Sequence, residues 1–158
     1  LPKLARGILY CGFPALAVVF LRDRSDGLLL AFWAMALVWG CDIGAYFAGR
    51  TIGGPKLAPT ISPNKTWAGL IGGVIAASVL GGVLQYAGLP LHLVLATPVL
   101  AVLAQMGDLY ESQLKRTAGV KDSGNVLPGH GGVLDRLDGL VPVAPAAALM
   151  VLAGLYLA

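Results

Sequence analysis

Four long stretches without Asp, Glu, Lys or Arg set the main constraint on how this chain folds. They cover residues 7–21, 27–41, 66–107 and 139–158. The third stretch is twice as long as the roughly 20 apolar residues that one transmembrane helix needs. Gly88 and Pro90 favour a turn that divides this stretch into two helices. The sequence therefore predicts an all-α fold, a polytopic membrane helical bundle with about five transmembrane helices and two polar loops.

The composition excludes several other classes of protein. Of the 158 residues, 57% are hydrophobic and only 12% are charged, whereas soluble domains carry about 25% charged residues. The basic residues are spread thinly, which argues against a nucleic-acid-binding surface. Cys11 and Cys41 both lie in apolar stretches, so neither a disulfide framework nor a zinc-binding spacing is present. A water-soluble globule, a disordered chain and a redox protein are all disfavoured.

The five expected helices also predict which loops share a side of the membrane. They cover approximately residues 7–21, 28–49, 67–88, 93–110 and 139–157. Nine of the eleven Lys and Arg residues then fall in segments on one side, which are residues 1–6, 50–66 and 111–138. Because cytoplasmic loops carry an excess of Lys and Arg, both long polar loops are expected to face the cytoplasm.

Acidic residues gather where two predicted helices meet the polar loops. Asp108, Glu111 and Lys115 are separated by steps of three and four, so they share one face if the fourth helix continues. A solvated helix end with a Glu111–Lys115 pair is the simpler interpretation. Asp135 and Asp138 begin the fifth helix, where carboxylates favour the helix N-terminus. Two sets of acids in a chain with only eight in total instead indicate oxygen ligands of the kind that Mg²⁺ uses.

Two polar segments have the features of phosphate-binding sites. The glycine-rich run at 129–132 allows backbone N–H groups to approach an anion closely. Lys65, with Ser62 and Thr66 nearby, precedes the third helix, and a helix N-terminus favours anions. This second segment is not a Walker A loop, and an ordinary helix-capping turn is the alternative.

Asp42 is an ionisable residue within the second predicted helix. Such a residue inside a membrane span is a candidate functional residue by default. A buried hydrogen bond to a neighbouring helix is an equally good explanation.

The polar loop as a whole resembles the signature of phosphatidate cytidylyltransferases, also called CDP-diacylglycerol synthases. The matching runs have fixed spacing within residues 112–138 and read SQLKR (112–116), KDSG (121–124), LPGHGG (127–132) and DRLD (135–138). Residues 39–49, 62–66, 107–108 and 111–112 give supporting matches. Ala68 departs from the family, whose members usually carry Glu at this position.

The resemblance implies an integral membrane enzyme that joins CTP and phosphatidic acid into CDP-diacylglycerol and releases pyrophosphate. It implies Mg²⁺ bound by Asp108 and Asp135. It leaves open whether a second ion, a monovalent cation such as K⁺, binds with it. Lys65 and Asp138 complete the expected catalytic residues. The expected substrate-binding residues are Asp42, Ser62, Asn64, Thr66, Glu111, Lys115, Arg116, Lys121, Asp122, Gly129, His130, Gly131, Gly132 and Arg136.

The same resemblance sets expectations for the domain, its surroundings and its partners. Residues 1–158 are expected to form a single transmembrane catalytic domain, and because the chain begins with Leu1, N-terminal helices of a longer enzyme are expected to precede it. The bacterial inner membrane is the expected location. The expected partners are CTP, phosphatidic acid and membrane lipid, and nucleic acid is not expected to bind. Whether two copies of the chain form a homodimer is left open.

Two other activities compete with this prediction. A CTP-dependent lipid kinase would transfer the γ-phosphate and release CDP. A secondary transporter would also carry an intramembrane acid and glycine-rich helices. Against transport, the sequence contains no internal repeat, and its acids gather at one membrane face. A non-catalytic membrane scaffold leaves the dense polar loop unexplained.

Overall fold

Five helices account for most of the residues that the structure describes, as the apolar stretches predict. A computed structural model describes residues 2–120 and 137–157. The helices are α1 (Pro2–Arg22), α2 (Gly27–Thr51), α3 (Trp67–Tyr86), α4 (Leu91–Thr117) and α5 (Leu140–Leu157). Within these described ranges, α2, α3 and α4 are long and apolar enough to cross a membrane, whereas α1 and α5 contain shorter apolar segments. The predicted all-α membrane bundle is confirmed.

Small residues allow α2 and α3 to pack against each other at very short range. A Cβ atom added at Gly44 of α2 would lie 2.5 Å from the Cβ of Ala76 and 2.7 Å from the carbonyl oxygen of Gly72. One added at Gly73 of α3 would lie 2.7 Å from the carbonyl oxygen of Cys41. Glycines at such contacts let the backbones of two membrane helices approach closely. The pair α2 and α3 therefore forms a tightly fitted unit.

The buried core lies where α2 meets α4 and α5. Trp33 of α2 and Leu100 of α4 are fully buried, as is Val143 of α5. The indole Nε1 of Trp33 donates a hydrogen bond to Thr97 Oγ1 at 3.1 Å, and this hydroxyl donates to the carbonyl oxygen of Leu93 at 2.9 Å. The polar atom of the largest core side chain is thus satisfied, as a buried indole requires.

The outer face of α3 carries a continuous apolar stripe. Ile71, Ile75, Val79 and Val83 are each more than half exposed, and they recur every four residues along the helix. Soluble monomers rarely expose contiguous apolar patches of this kind, whereas lipid covers them without cost. This pattern and the three long apolar helices identify a membrane protein.

A small β-hairpin lies in the loop between α2 and α3, where the sequence predicted only a polar loop. Strands β1 (Lys56–Ala58) and β2 (Ser62–Thr66) are antiparallel, with Lys56 opposite Thr66 and Ala58 opposite Ser62. Gly53 and Gly54 both adopt positive φ values, which turn the chain sharply after α2. The hairpin leads directly into α3, so the last residues of β2 are fixed at the start of that helix.

Candidate active site

A polar cleft of about 550 Å³ opens beside the hairpin, at the end of the bundle where α2 and α4 finish and α3 begins. Two cations and two acids lie on its walls. The residues that line the cleft are Asp42, Ala45, Tyr46, Gly49, Arg50, Asn64, Lys65, Thr66, Gly69, Leu70, Gln105 and Asp108. Asp42, Asn64, Lys65, Thr66 and Asp108 were predicted from the sequence, and the structure brings them together.

An ion pair between Lys65 and Asp108 lies at the centre of the cleft. Lys65 Nζ is 2.5 Å from Asp108 Oδ2, and the side chains are only 17% and 26% exposed. The same ammonium group donates a hydrogen bond to Gln105 Oε1 at 3.3 Å. Ser112, one turn along α4, donates to Asp108 Oδ1 at 3.4 Å. Two residues separated by 43 positions in the sequence are thus joined by charge in a partly buried site.

Thr66 fixes the start of α3 next to this ion pair. It is the N-cap of the helix, and its Oγ1 accepts a hydrogen bond from the backbone N–H of Gly69 at 3.0 Å. A Cβ atom added at Gly49 would lie 3.1 Å from Thr66 Oγ1. The glycine lets the C-terminal part of α2 approach this cap closely. The capping turn that the sequence offered as an alternative is therefore present, and it forms part of the cleft wall.

Asp138 lies beside α4, close to the cleft. A Cβ atom added at Gly107 would be 2.8 Å from the carbonyl oxygen of Asp138, so the segment before α5 packs directly on α4. The Asp138 side chain is buried and accepts a hydrogen bond from the backbone N–H of Gly139 at 2.7 Å. Burial, and then the negative charge of Asp108, raise the pKa of the Asp138 carboxyl above its usual range.

The remaining predicted residues on described segments lie outside the cleft lining. Helix α4 continues to Thr117, so Glu111 and Lys115 share a helical face with Asp108, as predicted. Glu111 is buried, and its Oε1 lies 3.5 Å from Lys115 Nζ. Ser62 is half-buried at the start of β2, and Arg116 is exposed on the last turn of α4. Their roles toward substrate stay predictions.

Eight predicted residues lie outside the described ranges. Their proximity to Asp108 and Lys65 stays a prediction. They are Lys121, Asp122, Gly129, His130, Gly131, Gly132, Asp135 and Arg136.

Asp108 is the described carboxylate that best fits a Mg²⁺ ion. It is a hard oxygen donor whose side chain is partly open to the cleft. Mg²⁺ is commonly held by one or two carboxylates together with substrate phosphates and water. Over residues 2–120 and 137–157 there is no group of three or more His, Cys, Asp or Glu side chains that could hold a metal by itself. Among the described residues, Asp108 could therefore supply one ligand to a Mg²⁺ ion but not a complete protein site.

Three lining residues with polar side chains, Tyr46, Arg50 and Gln105, were not among the predicted site residues. Arg50 ends α2, and its Nη1 donates a hydrogen bond to Tyr46 Oη at 2.7 Å. The Arg50 guanidinium also lies 5.9 Å from the centre of the Tyr46 ring. Gln105 is the amide that contacts Lys65. Arg50 carried a signal, because it is the first cation after the second apolar stretch, whereas uncharged Gln105 was hidden within the third.

The chain is similar to known cytidylyltransferases over nearly its whole length. Residues 4–153 match the model of the cytidylyltransferase family. A phosphatidate cytidylyltransferase from Brucella suis is 53% identical over 155 residues, which cover 95% of this chain and 56% of the relative. One from Bacillus subtilis is 51% identical over 123 residues, covering 75% of this chain and 46% of the relative. One from Rickettsia bellii is 38% identical over 161 residues, covering 96% of this chain and 69% of the relative. The chain spans about half the length of the first two relatives.

Proposed function

Because the chain belongs to the cytidylyltransferase family, we propose that it carries the active site of a phosphatidate cytidylyltransferase. The reaction joins CTP and phosphatidic acid into CDP-diacylglycerol and releases pyrophosphate. The observation that carries this proposal is the Lys65–Asp108 pair in a polar cleft at one end of a membrane bundle. A reaction between a lipid phosphate and a nucleotide needs a cation, a carboxylate that can bind a metal and access from the membrane interface, and the cleft could supply all three.

The chemical problem is the repulsion between two anions. A phosphate monoester carries about −1.5 to −2 charge near neutral pH, and a triphosphate carries more. Lys65 and Arg50 supply positive charge on the walls of the same cleft. Charge-assisted hydrogen bonds from these groups would hold the phosphates and lower the repulsion between them. The predicted contributions of Lys115, Arg116 and Lys121, and of the amides of Gly129–Gly132, would add to the same effect.

The proposed transfer is a substitution at the α-phosphorus of CTP. An oxygen of the phosphatidate attacks this phosphorus, a new P–O bond forms, and the bond to the β-phosphate breaks to release pyrophosphate. The attacking oxygen is already ionised, so the site needs no strong general base. Lys65 and the other cations would orient the two phosphates for in-line attack. A Mg²⁺ ion held by Asp108 and Asp135 would supply further positive charge at the CTP phosphates.

The proposal includes a location for the enzyme. The three relatives described above are bacterial proteins, and the Lys and Arg excess lies in the segments next to the cleft. By the positive-inside rule, this excess favours the cytoplasmic face of a bacterial inner membrane for the cleft. CTP would arrive from the cytoplasm while the acyl chains of the phosphatidate stay in the bilayer.

The decisive experiment measures pyrophosphate release by the purified protein in lipid vesicles. We expect release only when CTP, phosphatidic acid and Mg²⁺ are all present, together with CDP-diacylglycerol formation from CTP labelled in the cytidine. Removing Mg²⁺ with a chelator and supplying diacylglycerol instead of phosphatidic acid are the controls. CDP release without pyrophosphate would instead indicate a lipid kinase, and ion-dependent uptake without nucleotide turnover would indicate a transporter.

A further inference from the structure

We propose that Gln105 is a positioning residue that holds the Lys65 ammonium group at the cleft for a phosphate ligand. This inference rests on the proposed function for the identity of the ligands, CTP and phosphatidate. Gln105 is only 4% exposed, although it lies in a helix long enough to span the membrane. A buried amide is costly unless its donors and acceptor are satisfied, so its partners indicate why it is there.

The partners of Gln105 form a chain of hydrogen bonds that ends at the ion pair. Lys65 Nζ donates to Gln105 Oε1 at 3.3 Å, and Gln105 Nε2 donates to Cys41 Sγ at 3.5 Å. The fully buried Cys41 thiol donates in turn to the carbonyl oxygen of Ala101 at 3.6 Å. Because a lysine ammonium group has only donors, the amide must present its oxygen to Lys65. The thiol, which accepts from Nε2, holds the amide in that orientation.

The geometry of α4 places the members of this hydrogen-bond network next to one another. Ala101, Gln105 and Asp108 are separated by four and three residues, so they lie on one face of the helix. Lys65 is therefore held from one helical surface by two acceptors of different charge. Asp108 is anionic and Gln105 is neutral.

The difference in charge gives Gln105 its function. An incoming phosphate competes with the Asp108 carboxylate for the ammonium group and is repelled by that carboxylate. The Gln105 oxygen has no net charge, so it keeps its hydrogen bond to Lys65 without repelling the phosphate. Lys65 can then loosen its contact with Asp108 and still stay at the cleft wall. Without Gln105, the flexible lysine side chain would have Asp108 as its only described anchor.

The test is a double-mutant cycle read by equilibrium binding. Dissociation constants for CTP and for a short-chain phosphatidate are measured separately on the purified protein, on Gln105→Met, on Lys65→Met and on the double variant. Because the two ligands are measured separately, the results show whether Lys65 binds a phosphate of CTP or the phosphate of the lipid. We expect Gln105→Met to raise the dissociation constant of at least one ligand about tenfold. A change of this size corresponds to the loss of one hydrogen bond to a charged group. In the Lys65→Met background the same change should have less than a twofold effect.

Variants of Cys41 provide a second test, which remains available if the Gln105 variants do not fold. Cys41→Ser and Cys41→Ala remove the same sulfur atom, but only serine keeps a hydroxyl that can accept from Gln105 and donate to Ala101. We expect Cys41→Ser to bind both ligands more tightly than Cys41→Ala. Gln85→Met, at an exposed position near the other end of α3, controls for the loss of an amide and should bind like the unmodified protein.

The inference is overturned if Gln105→Met binds both ligands normally, or if it weakens binding equally with and without Lys65. Equal binding by the two Cys41 variants would also contradict it. Turnover of the unmodified protein reports on the proposed function separately. Coupling between Gln105 and Lys65 without CDP-diacylglycerol synthesis would leave the positioning role standing and remove the proposed reaction.

Discussion

The Asp108 carboxylate interacts with three neighbouring residues. Its Oδ2 pairs with Lys65, its Oδ1 accepts from Ser112, and its negative charge raises the pKa of Asp138. Its side chain nevertheless keeps 26% exposure on the cleft. Partial exposure leaves room for a ligand beside the ion pair.

Asp108→Asn is expected to reduce CDP-diacylglycerol formation by about 100-fold or more, because the amide keeps the shape but cannot supply a charged oxygen to a metal. The matched control is Asn64→Ala, which changes an exposed cleft residue without altering its charge. This variant should reduce CDP-diacylglycerol formation by less than about tenfold. Product formation from labelled CTP at saturating Mg²⁺ measures both, and a thermal unfolding curve checks that each variant folds. Near-normal synthesis by Asp108→Asn would contradict the metal assignment.

At the residue scale, the sequence could name the charged residues of the site but not their arrangement. Lys65 and Asp108 stand out because charges are scarce in this chain. Their contact depends on how the hairpin packs against α4, which no local pattern encodes. Gln105 was overlooked because a neutral amide interrupts no apolar stretch when only charges are marked. Its proposed role rests on the two atoms that its side chain contacts, Lys65 Nζ and Cys41 Sγ.

The contact between α2 and α3 determines the shape of the cleft, because both helices contribute to its walls. Gly73→Ala should separate the two helices, since the new Cβ would lie 2.7 Å from the backbone oxygen of Cys41. We expect a lower unfolding temperature in detergent and reduced CTP binding. Cys41 also supports Gln105, so displacement at this point reaches the ion pair.

Gly82→Ala is the matched control on the same helix. A Cβ atom at Gly82 meets no other atom within 4 Å, so the substitution should leave the unfolding temperature unchanged or raise it slightly, because alanine favours helix more than glycine does. If the two variants unfold at the same temperature, the close packing of α2 and α3 does not limit stability.

At the element scale, helices were predictable and strands were not. An apolar stretch near 20 residues long has few folding options in lipid, so the existence of all five helices followed from the sequence. Their ends were less certain, and α4 extends seven residues beyond the predicted 110. The hairpin was missed because residues 56–66 show no clear alternation of polar and apolar residues and contain Pro59 and Pro63. The two strands are joined by residues 59–61, where the backbone N–H of Ile61 donates a hydrogen bond to the carbonyl oxygen of Ala58 at 3.2 Å.

The two ends of the molecule carry different numbers of cations. Arg22 and Arg24 lie near the turn between α1 and α2, at the end opposite the cleft. The hairpin, the cleft and the last turns of α4 lie at one end, whereas the turn between α3 and α4 lies at the other. Most of the cations lie in segments at the cleft end. The proposed reaction requires this end to meet the cytoplasm, because CTP is made and used there. The orientation in the membrane is therefore a test of function as well as of topology.

Single-cysteine labelling in intact bacterial cells measures this orientation. In a background with Cys11→Ala and Cys41→Ser, Thr60→Cys places a thiol between the two strands and Ala87→Cys places one between α3 and α4. Both positions are exposed and lie in turns outside the helices and strands. We expect a membrane-impermeant maleimide to label Ala87→Cys in intact cells and to label Thr60→Cys only after the membrane is permeabilised. The reverse pattern would place the cleft outside the cytoplasm, where it could not receive CTP, and would contradict the proposed activity even if the bundle is correct.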